Sequence, residues 1–172
     1  MRVGLVSDSH GLFDPKLEIL FAGCDLILHA GDVTRPAVLE SLRRIAPVRA
    51  VRGNNDLGPL AELPETLRVS LGDLQALLLH ELGRPASPSR AARRTLARAP
   101  CHLVVYGHSH QAAVERLDGV LYVNPGSAGP RRFRLPRTAG ILAVSGRRAS
   151  VSLFDLAAQP PTPFGEPVET LF

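Results

Sequence analysis

The chain has 172 residues, 45% of them hydrophobic and 21% charged, with a formal charge of +4. These values fit a soluble globular protein long enough to bury one sizeable core, and no stretch before the tail has the polar bias of a disordered segment. Lys16 is the sole lysine, so the basic set is almost all Arg; with 5% aromatic residues and no Trp, the stacking platform of a single-strand nucleic-acid binder is missing. Nucleic acid is therefore not expected as a specific partner.

The chain enters a strand at Val3–Val6 without a long apolar signal core, and no later segment holds enough consecutive apolar residues to span a bilayer. A cytoplasmic location and no membrane partner are the expectations. Asp14 can cap a helix with Pro15 at its first position, running through Leu17, Leu20 and Phe21 to Gly23 as terminator. Leu26–Leu28 reads as the second strand. Thr34 can cap a second helix through Leu39 and Leu42 that ends near Pro47, ahead of a third strand over Val48–Val51. Two crossover units result.

Thr66–Leu71 and Gln75–Leu79 flank Gly72-Asp73 as a hairpin, and Ser87-Pro88 opens a helix carrying Arg90, Arg94 and Arg98 opposite Ala92, Leu96 and Ala99. Strands follow at Leu103–Tyr106, Ala112–Leu117, Val120–Val123, Ala139–Val144 and Ala149–Phe154. So many strands in one open sheet would be wide and poorly covered. Two facing sheets with helices on their outer sides bury them better, which gives an α/β fold built as a four-layer sandwich. The reading is one domain over residues 1–172, in which a tail from about Gln159, rich in Pro, carries no regular structure and lies extended on the body.

Asp8, His10, Asp32, Asn54, His80, His108 and His110 each fall just beyond the C-terminal end of a short apolar run. Residues scattered by chance have no reason to do so, whereas ligands gathered at one rim of a sheet must. Carboxylate, imidazole and amide oxygen without thiolate suit a borderline divalent ion, and the four imidazoles argue against calcium. Manganese is the leading expectation, with iron, cobalt, nickel and zinc compatible. The set is too large for one ion with open positions, but serves two if Asp32 bridges them. Such a pair, about 3.5 to 4 Å apart, generates a shared hydroxide nucleophile from water. With Asp8 and Asp32 ionised and that hydroxide in place, one positive charge is left to attract a phosphoester.

Other residues carry less. Cys24 and Cys101 belong to no Cys-x-x-Cys unit and read as reduced thiols. His29 is either a core histidine bonded to backbone or an orienting neighbour of a ligand, and His102 is a loop residue. Arg131, Arg132, Arg134 and Arg137 follow the turn-rich Asn124-Pro125-Gly126-Ser127 and form either a phosphate pocket or a charged loop. Ser127 lies in Gly126-Ser127-Ala128-Gly129, not in a Gly-x-Ser-x-Gly elbow, so it is not a nucleophile.

Asp8-Ser9-His10-Gly11, Gly31-Asp32, Gly53-Asn54-Asn55-Asp56, His80 and Gly107-His108-Ser109-His110, in this order, resemble the signature of the calcineurin-like metallophosphoesterases. With Asn124-Pro125-Gly126-Ser127 the likeness is greatest to the small, single-domain bacterial and archaeal phosphodiesterase branch, from Met1 to about Phe154. The resemblance implies metals at the C-terminal rim of a two-sheet sandwich: Asp8, His10, Asp32 and His110 on one ion, Asp32, Asn54, His80 and His108 on the other. It implies catalysis by Asp32, Asn54, Asn55 and His108 on a small phosphodiester substrate. Two departures matter. Many members place a catalytic His where this chain has Asn55, and an amide cannot act as a general acid, which biases the expected activity to diesters with good leaving groups. Asn55 retains the capacity to donate a hydrogen bond to phosphate. Relatives in the branch commonly carry Gly where this chain has Glu81. A phosphomonoesterase and a protein-binding scaffold, as in the related retromer sorting subunit, are the alternatives. Monomer and homodimer are both open, the tail being a candidate contact.

Overall fold

The computed structural model describes residues 1–98 and 100–172. In chain order the elements are β1 (Arg2–Val6), α1 (Lys16–Leu20), β2 (Leu26–His29), α2 (Pro36–Arg43), β3 (Val48–Ala50), a 3-10 turn at Gly58–Glu62, β4 (Thr66–Leu71) and β5 (Leu74–Leu79). Then come β6 (Gly83–Arg84), β7 (Ser87–Pro88), α3 (Arg90–Arg98), β8 (Leu103–Val105), β9 (Ala113–Leu117) and β10 (Val120–Asn124). The chain closes with β11 (Thr138–Ser145), β12 (Arg148–Asp155), β13 (Thr162–Pro163) and β14 (Val168–Leu171).

One sheet has seven strands in the order β13-β12-β11-β1-β2-β3, with β14 also paired to β12; the other has five, in the order β4-β5-β8-β10-β9. In each, three adjacent strands run parallel: β1, β2 and β3 in the first, where β3 is the edge, and β5, β8 and β10 in the second. Flanking strands are antiparallel, so both sheets are mixed.

Alternation along the strands explains the layers. Val3, Leu5, Leu28, Leu78, Leu103, Val105 and Leu142 share one buried cluster between the sheets. Their neighbours Val6 and Ile27 turn outward against Leu17, Phe21, Leu39 and Leu42 of the α1 and α2 region. Leu77, Leu79 and Val104 turn outward on the other side, where Ala92 of α3 meets them. The result is helix, sheet, sheet, helix, the expected four-layer sandwich. Each wholly buried Leu contributes about 1.5–3 kcal/mol of transfer free energy.

Several local expectations need correction. Thr34 does not cap α2: the N-cap residue is Arg35, and the Thr34 amide donates to Asp56 Oδ1 at 2.7 Å. Pro15 is the N-cap residue of α1, not its first helical residue, and the helix stops at Leu20. Ser87-Pro88 forms β7, paired with β6, and the next helix is capped by Ser89, whose Oγ accepts from the Ala92 amide at 3.2 Å. Ala99, assigned by periodicity to the apolar side of that helix, lies outside the described residues. The Pro-rich tail does carry regular structure, because β14 takes up the free edge of β12 from Arg148 to Val151. Among the described residues no helix is long and apolar enough to cross a membrane.

Candidate metal centre

Parallel strands deliver their C-terminal ends to one rim. The turn after β1 carries Asp8 and His10, that after β2 Asp32, that after β3 Asn54, that after β5 His80, and that after β8 His108 and His110. These turns are tight: Asp8, His10, Asp32, His108 and His110 all have positive φ, between 45° and 71°. Left-handed backbone at non-glycine residues costs on the order of 1–3 kcal/mol each, and persists where surrounding contacts over-determine it. Here they do. The Asp8 amide donates to Gly31 O and the His10 amide to Asp32 O, each at 3.0 Å, so the first two turns hold each other.

The side chains converge as two groups. His110 Nε2 lies 3.1 Å from Asp8 Oδ1 and 3.2 Å from His10 Nε2, and His10 Nε2 lies 3.7 Å from Asp32 Oδ2. In the second group Asn54 Oδ1 is 3.0 Å from both His80 Nε2 and His108 Nδ1, while His80 Nε2 is 3.6 Å from Asp32 Oδ1. Asp32 thus turns one oxygen to each group. All seven expected ligands stand together, and each group combines residues from both sheets.

The donor set fits cations. Asp8 is fully buried; its Oδ2 accepts from Ser7 Oγ at 2.6 Å and from the His108 amide at 3.0 Å, but its Oδ1 has no hydrogen-bond partner. A buried carboxylate oxygen without a partner is costly, and it faces two imidazole nitrogens. Burial works to raise the Asp8 pKa, but the neighbouring His110 imidazole, the Ser7 hydroxyl bond and nearby His80 outweigh it and hold the carboxyl below its usual range. His80 Nδ1 lies 2.7 Å from Ala30 O, so that nitrogen carries the proton and Nε2 presents its lone pair to the centre. His10 is held below the usual imidazole range by burial and then by the Arg132 guanidinium.

Some supports were not foreseen. Asp56 accepts from the Thr34 amide through Oδ1 and from the Gly53 amide through Oδ2 at 2.8 Å, tying the Asn54 turn to the Asp32 turn. Asn124 donates from Nδ2 to Gly107 O and to Ser109 Oγ, both at 3.0 Å, which braces the His108 turn. Ser127 Oγ donates to Asp8 O at 2.8 Å. These residues stand inside the quoted motifs, but their partners are distant in sequence and leave no local signal. Asn55 differs from expectation: its amide donates to Asp32 Oδ1 at 2.8 Å and its Nδ2 to Asp32 Oδ2 at 2.6 Å. The side chain expected on phosphate is engaged with a carboxylate.

His29 is fully buried in the core: Nδ1 accepts from the Gly31 amide at 3.2 Å and Nε2 contacts Ser9 Oγ at 2.9 Å. His102 is more than a loop residue, since Nδ1 accepts from the Gln75 amide at 3.0 Å and the ring packs edge-on to Phe172. The arginine cluster divides. Arg137 is structural, bound to Asp14 Oδ2 at 2.7 Å and to the carbonyls of Ala128 and Gly129. Arg132 is exposed with Nη2 3.5 Å from His10 Nδ1, while Arg131 and Arg134 are exposed. Burial raises the pKa of both half-buried free thiols, Cys24 and Cys101.

Comparison with known proteins accords with this geometry. The calcineurin-like phosphoesterase superfamily domain matches residues 1–147. A probable metallophosphoesterase of Methanothermobacter thermautotrophicus is 29% identical over 164 residues, 92% of this chain and 94% of its own. A phosphodiesterase of Methanocaldococcus jannaschii is 28% identical over 160 residues, 83% of this chain and 92% of its own. Wild-type Vps29 of Entamoeba histolytica, in its crystal structure with Zn2+, shares the fold at a TM-score of 0.79 and 21% identity, over 98% of this chain and 99% of its own. Motif order, rim geometry and a match over most of the length agree: the chain belongs to the calcineurin-like phosphoesterase superfamily, whose members are metal-dependent.

Proposed function

We propose that the protein is a phosphodiesterase with two divalent ions, manganese foremost, one held by Asp8, His10, Asp32 and His110 and the other by Asp32, Asn54, His80 and His108. The observation that carries this reading is Asp32, set between the two imidazole groups with Oδ2 toward His10 and Oδ1 toward His80. Metals bound there supply a nucleophile from water at neutral pH and withdraw charge from phosphate oxygens. The chain's own groups do the rest. Ser7, the His108 amide and Asn55 orient the two carboxylates, and Ala30 O fixes the His80 tautomer. Arg132, exposed beside His10, supplies a guanidinium for a phosphate oxygen. The family's catalytic imidazole is replaced by Asn55, an amide that cannot protonate a leaving group, which favours diesters whose alcohol leaves unaided. The likeness to a named phosphodiesterase over most of both chains supports the same class.

The likeness to Vps29 keeps a second reading, a binding scaffold, in play. Metal analysis of purified protein, with manganese-stimulated hydrolysis of bis(p-nitrophenyl) phosphate against p-nitrophenyl phosphate, decides between them. Bound metal with faster diester turnover is the expected result. No bound metal and no turnover would overturn the enzyme reading in favour of the scaffold, and faster monoester turnover would make the protein a phosphomonoesterase.

A further inference from the structure

Beside the second ligand group lies a cavity of about 250 Å³ that neither the metal ligands nor the catalytic assignment explains. Its lining includes Asn54 and His80, two of the expected ligands, and the small side chains Ala91, Ala92 and Thr95 of α3. Sites for drug-sized ligands run to ~300–1,000 Å³, so this cavity suits one small substituent and not a polymer. Arg52, Glu65 and Glu81, all at least partly exposed, also line it. Arg52 is already engaged, with Nη2 on Glu65 Oε1 at 2.5 Å and Nη1 on Ala61 O at 3.1 Å. Glu81 is exposed and has no ion-pair or hydrogen-bond partner among the described side chains. The cavity therefore bears one uncompensated negative charge on a chain of formal charge +4.

We infer that this cavity is the subsite for the alcohol substituent of the phosphodiester, and that Glu81 makes it select a positively charged, amine-bearing alcohol over an anionic one. The inference rests on the phosphodiesterase reading above. Phosphate itself carries the negative charge attracted by the metal centre. Any further anion on the substituent would meet Glu81, whereas an ammonium group would be drawn to it. The same repulsion disfavours polynucleotides, whose every linkage adds a further phosphate charge.

The test uses p-nitrophenyl diesters that share one leaving group and differ in the second substituent: choline, its uncharged isostere 3,3-dimethylbutyl, and 2-carboxyethyl. The expected kcat/KM order is cation, neutral, anion, with roughly fivefold between the first two, as befits an exposed charge pair. Glu81→Gln should abolish the preference for cation over neutral, and Glu81→Lys should reverse it. Ala91→Trp, which fills the cavity, should flatten all three. Each ratio is taken within one protein, so a lower folded fraction cancels. Equal kcat/KM for the three substrates, or a preference that survives Glu81→Gln, would overturn the inference. If the wild type cleaves no diester at all, the phosphodiesterase reading fails separately. Calorimetry of the metal-loaded protein with uncleavable dialkyl phosphinates bearing the same substituents then judges the subsite: tighter binding of the cationic member upholds it, and equal binding refutes it.

Discussion

Asn55 grips Asp32 at both carboxylate oxygens, Oδ1 through its backbone amide at 2.8 Å and Oδ2 through its side-chain Nδ2 at 2.6 Å. Asn55, standing where the resemblance implies a His, thus orients the carboxylate that faces both ligand groups. Partners that orient metal ligands typically govern about 10–100-fold in metal affinity. Asn55→Ala should weaken manganese binding by roughly that factor while leaving the fold intact, as read by metal titration alongside circular dichroism. Unchanged affinity would show that the backbone amide alone suffices.

Gly107 tests the packing of the rim. A Cβ built there would collide with Ser7 Oγ and come within 2.6 Å of Asp8 Oδ2. Both are rigidly placed, so neither can give way cheaply. Gly107→Ala should cost about 1–3 kcal/mol in urea unfolding and lower metal occupancy together. Gly53→Ala is expected to behave alike, since its Cβ would strike the Asp32 backbone and carboxylate.

Acid sensitivity follows from His29. Burial, the largest influence, pushes its pKa from 6.5 down to about 4. Between those values the unfolded chain takes up a proton that the folded one refuses. The contribution is complete above about pH 6.5 and lost as the pH falls, reaching roughly 3 kcal/mol near pH 4. Urea unfolding at pH 7.5 and 4.5 should show a steeper loss for the wild type than for His29→Gln. Parallel curves would mean that other groups, Asp8 among them, set the acid limit.

Asn54→Asp probes charge at the centre. Asn54 Oδ1 already stands 3.0 Å from His80 Nε2 and His108 Nδ1, so an isosteric carboxylate fits without rearrangement. With two ions bound as proposed, the added negative charge would cancel the residual positive charge that draws in phosphate. The variant should retain its metals and lose at least about tenfold in kcat/KM. Retained turnover would count against the charge argument.

What could be read in advance was whatever repeats along the chain. Apolar runs at Val3, Leu26, Leu77 and Leu103 announced buried strands, and a candidate ligand just after each announced a shared rim. The hairpin at Gly72-Asp73 was equally plain, with Thr66 opposite Leu79 and Leu71 opposite Leu74. Hidden features depend on partners far off in sequence. Thr34 has the residue type of a helix cap, yet its amide belongs to Asp56, which stands 22 positions later. The Pro-rich tail has no internal strand pattern, but β12 offers an open edge where Val168 to Leu171 can pair. Asn55 could be judged only as a missing acid with an amide to offer phosphate, because nothing local says that Asp32 lies against it.

Each ligand group draws on both halves of the sandwich: Asp8, His10 and Asp32 with His110, and Asp32 and Asn54 with His80 and His108. Cations seated there act as rivets between the two layers. Prying the layers apart at this rim then requires surrendering the ions, so local opening and metal release become a single event, and a chelator in solution would loosen the architecture as well as silence the chemistry.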